Sequence, residues 1–381
     1  MKRTMKKMVS MALTGTMAVA VLAGAGTSEV KAADKAKIGV LVADVSGEEA
    51  QGFRSYYENY IAGNYDVEFN YTDALQSAED EKTAIEKFAS QGCQAIISFS
   101  SNDRVQQIET CEKYRVYYAV ASGVLDDAQY ETYKTYEYFA GQVGPGNDTE
   151  FEAGKDMGAY YKEQGVSKVA IYGAFIPNPM HVYRVAGVLN GLGCTYGGES
   201  DMNAIAGQIF QDQTVDLSKV EGDVEVVSYL QGYGDTTTDE LNAAIQKTPD
   251  AFISVGMATT FFAQSLSEAG ISFSDIDSFT ETNGNSMKNG TLTYLAGKYS
   301  SSIGPVFALV MNAINGNVIR DEDGNAPSIS QGYLVATDSD TFDKYSVSDS
   351  GDAPIYDKET LDSIIGDNVT FEDVKTLVES K

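Results

Sequence analysis

The feature that most constrains the fold is a regular alternation of short β-branched and aromatic runs with helical patterns. From Lys37 onward, the two patterns alternate about every 25 to 30 residues, as in βαβ units around parallel sheets. Five strands are predicted in the first part of the chain: IGVLVA (38–43), DVEFNY (66–71), AIISFS (95–100), VYYAVA (116–121) and YEYFAGQV (136–143).

A second α/β series begins after GPGND (144–148). Its predicted strands are KVAIYG (168–173), VEVVSY (224–229), AFISV (251–255) and DIDSF (275–279), with helices near 149–164, from about 179, near 238–247 and near 258–269. Two successive sets of similar size predict two lobes of similar architecture, although no sequence repeat relates them. The tail adds LTYLA (292–296), a helix near 302–315, QGYLVA (331–336) and a capped terminal helix in TFEDVKTLVES.

The first helix has clear local signals. Ser46 followed by Glu49 predicts a capping box, and the apolar residues Ala50, Phe53, Tyr57 and Ile61 recur at helical spacing. Asp44 has no role in this pattern. It follows the first strand, where the chain turns.

The first 32 residues have the pattern of a secretory signal peptide. Basic residues at positions 2, 3, 6 and 7 precede an apolar run from Met8 to about Ala25, and Val30-Lys31-Ala32 offers a cleavage site before Ala33. A retained membrane anchor is the alternative. We therefore expect an extracytoplasmic protein, in a periplasm or outside the cell.

Charge and cysteine content exclude several classes of partner. The chain has 27 Lys and Arg against 55 Asp and Glu, a net charge of −28, which repels nucleic acid and anionic membranes. Cys93, Cys111 and Cys194 lack metal-ligand spacing. Export would permit a Cys93–Cys111 bridge, but buried thiols are favoured. We expect no metal and no cofactor.

Five segments carry a resemblance to a known family: KIGVLVADVSGEEAQGF (37–53), FASQGCQAIISFSSND (88–103), VAIYGAFIPNPMHVYRVAGVLNGL (169–192), TPDAFISVGMATTFFAQSLSEAG (248–270) and NGTLTYLAGKYSSSIGPVFALVMNAINGN (289–317). In order and spacing they resemble the sugar-type, or type I, periplasmic binding proteins of ABC transporters, relatives of the ribose- and galactose-binding proteins. Each segment is loose alone, but together they span nearly the whole chain after residue 32.

The resemblance implies an α/β fold with two similar Rossmann-like lobes, whose parallel sheets are joined by a three-strand hinge. The chain would cross between lobes near 144–147, 283–285 and 316–320. The amino-terminal lobe would hold 35–144 plus 285–316, the carboxyl-terminal lobe 145–284 plus 317–340, and residues 341–381 would form a carboxyl-terminal extension.

Ligands of open parallel sheets bind beyond the carboxyl ends of the strands. His181, the only histidine, and Arg184 lie there, off the apolar stripe of the helix that starts near 179. The family commonly places a ligand-gripping arginine at this turn, so the resemblance favours binding over a solvated charge. A catalytic His181 is disfavoured, since no nucleophile or metal-ligand motif accompanies it.

The other candidate ligand-binding residues also follow predicted strands or the crossings. They are Asp44, Ser46, Phe99, Ser100, Asn102, Ser122, Asn147, Tyr233, Met257, Glu281 and Lys298. Carboxylates, amides and cations bind hydroxyl groups, and aromatic faces cover the C–H face of a sugar ring. The alternative is that Ser100, Asn102 and Asn147 only cap helices.

Three features depart from the family's pattern. An Asp-Arg pair often follows the fourth strand of sugar binders, where this chain has Ala121-Ser122, and Asn-Asp is replaced by Gly256-Met257. Gram-positive members carry a lipid-anchoring cysteine where this chain reads Leu22-Ala23-Gly24-Ala25. The first two differences weaken the expectation of a sugar more than that of the fold. Without the cysteine we expect no acylation at that position, and a mature protein that is released unless a partner retains it.

The predicted function is capture of a small polar ligand, with a carbohydrate favoured, between the lobes of a monomer that delivers it to an ABC permease. Alternatives are a ligand-sensing protein that serves a membrane receptor, and a binder of a nucleoside or another solute. A secreted hydrolase using Asp44 and Glu281 as a carboxylate pair is disfavoured, because the sequence gives no separation between them.

Overall fold

Two six-stranded sheets organise the protein, as the alternating sequence pattern predicts. The computed structural model describes residues 35–349 and 353–381, so the predicted signal peptide lies outside the described residues. Within the described residues, the strands in chain order are β1 (Ala36–Leu41), β2 (Val67–Tyr71), β3 (Ala95–Ser98), β4 (Tyr117–Ala121), β5 (Phe139–Gly144), β6 (Lys168–Tyr172), β7 (Thr195–Tyr196), β8 (Val220–Glu221), β9 (Glu225–Leu230), β10 (Ala251–Ser254), β11 (Ser272–Ser278), β12 (Leu292–Lys298), β13 (Ser328–Ser330) and β14 (Leu334–Ala336).

Helices connect the strands and cover the sheets. In the same part of the chain, they are α1 (Glu48–Ser55), α2 (Ala62–Asn64), α3 (Ala78–Ser90), α4 (Arg104–Tyr114), α5 (Asp127–Tyr133), α6 (Asn147–Glu163), α7 (Pro179–Gly191), α8 (Met202–Asp212), α9 (Thr237–Gln246), α10 (Ala258–Ala269), α11 (Glu281–Lys288), α12 (Gly304–Ile314), α13 (Ser339–Ser348), α14 (Lys358–Asp362) and α15 (Phe371–Glu379). A π-helical segment, Tyr56–Ile61, joins α1 to α2.

The two sheets have similar topology. The first has the order β13-β5-β4-β3-β1-β2 and is entirely parallel, and the second has the order β14-β12-β11-β10-β6-β9, with only β14 antiparallel. Separate hydrophobic clusters cover them, so each sheet is the centre of a lobe. We call them the first and the second lobe.

Continuous apolar runs explain why both sheets are buried. The residues of β3 and β10 are all buried, as expected for parallel strands with helices on both faces. Helix α12 is apolar on nearly every side and packs against β3, β4 and β5. A helix of this composition belongs in a core, which places it beneath the first sheet.

Two of the three predicted changes of lobe lie elsewhere in the structure. Residues 292–298 were expected in the first lobe, but β12 pairs with β11 of the second sheet. Residues 317–340 were expected in the second lobe, but β13 pairs with β5 of the first. The chain therefore crosses at 299–303, between β12 and α12, and again at 331–333, between β13 and β14.

The carboxyl-terminal segment is integral to the fold and not an added extension. Helix α13 packs against α11 of the second lobe. Beyond it, Tyr356, Leu361 and Val374 belong to the hydrophobic core of the first lobe. The terminal helix has the predicted cap, because Thr370 and Asp373 bond reciprocally.

Other local predictions have mixed outcomes. The capping box of Ser46 and Glu49 is wrong: α1 begins at Glu48 without a side-chain cap. Helix α8 and the β7–β8 hairpin were not predicted. The three cysteines are free and buried. No helix of the described ranges combines the length and the apolar character that a membrane crossing requires.

Candidate functional site

A cavity of about 660 Å³ opens beyond the carboxyl ends of the strands, where the two lobes meet. The first lobe contributes the segments that follow β3 and β4, and the second contributes the start of α6 and of α7. Its walls include Phe99, Asn102, Ser122, Asn147, Glu150 and Met180. Four of these, Phe99, Asn102, Ser122 and Asn147, are residues that the sequence predicts for binding.

Two of the four, Asn147 and Phe99, offer the cavity groups that could contact a solute. Asn147 is the first residue of α6, whose amino terminus has no side-chain cap. Its amide and the adjacent backbone N–H groups are therefore available to a polar solute. Phe99 is half-buried and stacks on Phe53 with ring centroids 5.5 Å apart, which fixes its ring at the cavity wall.

Ser100 does not face the cavity, contrary to the prediction. It is fully buried, and its hydroxyl donates to the carboxylate of Glu81. The predicted capping role is also wrong, because Asp103 caps α4. Ser100 therefore helps to hold the loop between β3 and α4 in place and does not contribute to the side of the loop that faces the cavity.

Ser122 and Lys298 meet across the lobes. Ser122 has a left-handed backbone (φ 55°), and its hydroxyl accepts a hydrogen bond of 2.8 Å from the Lys298 ammonium. The same ammonium forms an ion pair with Glu49, at 3.3 Å. Lys298 ends β12, so this residue ties the second sheet to two segments of the first lobe.

The start of α1 adds further contacts between the lobes. Glu49 accepts a hydrogen bond of 2.8 Å from the Ser278 hydroxyl, and Glu48 accepts one of 2.5 Å from the Thr282 hydroxyl. Burial raises the pKa of Glu49, but Lys298 and Ser278 outweigh it, so the net shift is downward. Glu48 was not predicted from the sequence, although two consecutive acidic residues soon after a strand end could have indicated it.

Asp44 and Ser46 are exposed and bind each other. The Asp44 carboxylate accepts hydrogen bonds from the Ser46 backbone and hydroxyl and from the Gly47 backbone. Burial raises the pKa of Asp44, but the hydrogen bonds from Ser46 and Gly47 together outweigh it, so the pKa lies below its ordinary value. The pair forms the turn before α1 and does not line the cavity.

Arg184 is held by protein groups on every side. Its Nε lies 2.6 Å from Glu150, its Nη1 donates to the Val255 carbonyl at 2.9 Å, and its Nη2 donates to the Tyr333 hydroxyl at 2.6 Å. Burial lowers the pKa of Arg184, but Glu150 outweighs it and the net shift is upward. Because Tyr333 lies in the 331–333 crossing, the arginine ties that crossing to the second lobe.

His181 is buried beside Arg184 and remains neutral. Its Nδ1 accepts a hydrogen bond of 3.1 Å from the Phe175 backbone, which leaves the proton on Nε2. Burial and then the Arg184 charge lower its pKa to about 3. The imidazole is therefore suited to donate a hydrogen bond from Nε2 and not to accept a proton near neutral pH.

The remaining predicted residues belong to the second lobe and do not line the cavity. Tyr233 is 58% exposed and stacks on Phe261 at 4.1 Å. Met257 precedes α10 with a left-handed backbone, and Glu281 is exposed at the start of α11. Their role in ligand binding remains a prediction.

Two acids beneath the interlobe contact have raised pKa values. Burial raises the pKa of Asp275 to about 6. Burial, Asp275 and Glu49 together raise the pKa of Asp277 to about 7. Asp277 accepts a hydrogen bond of 2.9 Å from Asn283, which favours the charged form and only partly opposes this rise in pKa.

Comparisons with known proteins support the fold. No protein-family model and no curated protein matches the chain. Among solved structures, the arabinose-binding component of an ABC transporter from Shewanella sp. ANA-3, bound to L-arabinofuranose, has a TM-score of 0.58 and 16% identity over 81% of this chain and 94% of that one.

Two further structures give the same result. A solute-binding protein of Bacillus halodurans C-125 with bound myo-inositol has a TM-score of 0.58 and 17% identity, covering 83% of this chain and 98% of its own. A periplasmic solute-binding protein of Actinobacillus succinogenes 130z with bound D-allose has a TM-score of 0.61 and 15% identity, covering 82% and 100%. The chain therefore has the two-lobe fold of type I periplasmic binding proteins, as predicted.

Proposed function

We propose that the protein is an extracytoplasmic solute-binding protein that captures a small polar solute, a carbohydrate in the first instance, between its lobes. The observation that carries this proposal is the cavity of about 660 Å³, which is walled by both lobes at the carboxyl edges of two parallel sheets. A cleft of this size and position suits a small molecule.

The chemistry of the walls supports a polar, hydroxyl-rich ligand. Asn147 supplies an amide, the uncapped start of α6 supplies N–H groups, and Phe99 supplies an aromatic face. The charges of Arg184 and Lys298 are already paired with Glu150 and Glu49. Asp103, Arg104, Asp126 and Glu150 also line the cavity, so a solute meets charged groups beside these neutral donors and acceptors.

The solute is bound and not chemically altered in this proposal. His181 is neutral, and its Nδ1 is occupied by the Phe175 backbone. The Asp44 carboxylate is occupied by its own turn. Delivery to an ABC permease follows from the fold's solved relatives, whose names describe components of such transporters. We further propose export by the amino-terminal signal peptide and a monomeric state.

Isothermal calorimetry and thermal unfolding with a panel of solutes test the proposal. The panel contains L-arabinose, myo-inositol, D-allose, a nucleoside and an amino acid. A solute at one hundred times its Kd should stabilise the protein by about 2.7 kcal/mol. Binding of the nucleoside or amino acid alone would overturn the carbohydrate assignment and keep the binding function. Binding of none would count against the function itself.

A ligand-sensing role at a membrane receptor uses the same cleft. A reconstituted system distinguishes transport from sensing. In transport, the protein delivers the solute to an ABC permease, which moves it across the membrane. Accumulation of the bound solute inside permease-containing vesicles, dependent on this protein, supports transport. Binding without accumulation supports sensing.

A further inference from the structure

Glu81 is a fully buried carboxylate that lies one layer behind the cavity. It is on α3, and within the described residues it has no ion pair with a lysine or arginine. The Arg104 guanidinium interacts with it electrostatically but forms no ion pair, so the buried carboxylate must be compensated chiefly by hydrogen bonds. Its partners therefore reveal what the residue does.

Within the described residues, all of the hydrogen bonds that the Glu81 carboxylate accepts come from one short loop. Glu81 Oε1 accepts bonds from the Ser100 hydroxyl (2.5 Å), the Asn102 backbone (2.9 Å) and the Asn102 side chain (3.1 Å). Oε2 accepts one from the Asp103 backbone, at 2.9 Å. The loop follows β3 and leads into α4, so the carboxylate also lies near the positive end of a helix.

The same loop forms part of the first-lobe wall of the cavity. Phe99, Ser101, Asn102, Asp103 and Arg104 all line it. Ser100, the one residue of this stretch that does not, points back to Glu81. The loop is thus held from the core side while its other face is presented to the solute.

We propose that Glu81 is a positioning residue for the solute site, because its buried carboxylate fixes the 99–104 loop in the orientation that walls the cavity. The proposal rests on the proposed function for its consequence in binding, but the positioning itself does not. A loop that is already ordered before binding loses less conformational entropy when the solute arrives, and this increases affinity.

Hydrogen–deuterium exchange of the full chain tests the positioning without any ligand. Glu81→Gln keeps the side-chain size but replaces an acceptor oxygen with an NH₂ group that opposes the loop donors. Ser100→Ala removes one of the four bonds. Ile85→Val, on the same helix and equally buried, is the matched control for a loss of packing alone.

We expect hydrogen exchange in the 99–104 peptides to become about tenfold faster or more in Glu81→Gln. The loss of bonds to Glu81 lowers the free energy that is needed to open the loop locally. The rise should be smaller in Ser100→Ala and absent in Ile85→Val. Unchanged loop exchange in Glu81→Gln, or an equal rise throughout β1 and β4, would overturn the proposal. Glu81→Gln that fails to fold leaves Ser100→Ala to decide it.

Titration with L-arabinose, myo-inositol and D-allose tests the effect on the site. A sugar that binds the wild type should bind Glu81→Gln about tenfold more weakly or worse, and Ile85→Val with unchanged affinity. Equal affinity for Glu81→Gln, despite a loosened loop, would contradict the role in binding. If the wild type binds none of the three sugars, the carbohydrate proposal fails, and the exchange result still decides whether Glu81 positions the loop.

Discussion

Arg184 Nε lies 2.6 Å from the Glu150 carboxylate, and both side chains are buried. The Tyr333 hydroxyl joins this pair, so α6, α7 and the 331–333 crossing meet at one polar cluster. An arginine that was predicted to grip the ligand is thus a structural tie between the second lobe and a hinge segment. Because Glu150 also lines the cavity, this cluster connects the core of the second lobe to the solute site.

Removing one member of that pair should be costly. Arg184→Met leaves the Glu150 carboxylate buried without its cation, and we expect a loss of about 3 to 5 kcal/mol in the free energy of unfolding. Urea denaturation measures it. The double variant Arg184→Met/Glu150→Met should recover much of the loss. A single variant as stable as the wild type would contradict the structural role.

His181 should remain uncharged over the physiological range. Its pKa is lowered to about 3 by burial and by Arg184, so its ring signals should not move between pH 5 and 8. The chain has one histidine, which makes the assignment of its proton NMR signal direct after removal of any purification tag. Movement of the His181 ring signals with a midpoint near pH 6.5 would show that the ring is exposed to solvent, which would contradict its buried position beside Arg184.

Asp277 should make stability fall as pH rises. Its pKa is raised to about 7 by burial, Asp275 and Glu49. The folded protein therefore binds more protons than the unfolded chain between about pH 4 and 7, and stability declines across that window. Asp277→Asn should be more stable than the wild type by about 2 kcal/mol at pH 8, with the difference shrinking towards pH 4.

The comparison for Asp277 needs an acid whose pKa is shifted the other way. Hydrogen bonds from Thr370 lower the pKa of the exposed Asp373, so Asp373→Asn should remove stability that is present above about pH 4. Opposite pH trends in the two variants support the assignment. The same pH trend in the stability of both variants would mean that Asp277 is exposed to solvent and that its pKa is not raised.

Lys298 should control how far the lobes separate. Lys298→Met removes the bonds to Ser122 and Glu49, weakening the contact between the lobes by about 1 to 3 kcal/mol. Small-angle X-ray scattering should then show a larger radius of gyration. Lys288→Met, which removes an exposed ion pair with Asp343, is the control and should leave it unchanged.

The sequence predicted the architecture well because the relevant signals are local. Parallel strands such as β3 and β10 are continuous apolar runs, and helices such as α7 begin at a proline after a capping Asn178. β13 was missed because its three residues carry almost no pattern, and only pairing with β5 makes them a strand. Lobe assignment at β12 failed because the choice of sheet depends on distant partners.

The site was predicted less completely for the same physical reason. Residue type and position at a strand end located Phe99, Asn102, Ser122 and Asn147 at the cavity. They did not reveal which carboxylate each polar group meets, because such partners are remote in sequence. Glu150 is 34 residues from Arg184, and Glu81 is 19 residues from Ser100.

Native mass spectrometry of the purified chain with the solute panel tests the central claim most directly. We predict one solute per chain, released chemically unchanged on denaturation. Asn147→Trp, which fills the cavity, should abolish the bound mass, and Asn59→Trp, at an exposed position of the first lobe, should retain it. Equal retention by both variants, or recovery of a converted solute, would contradict capture of an unaltered solute between the lobes.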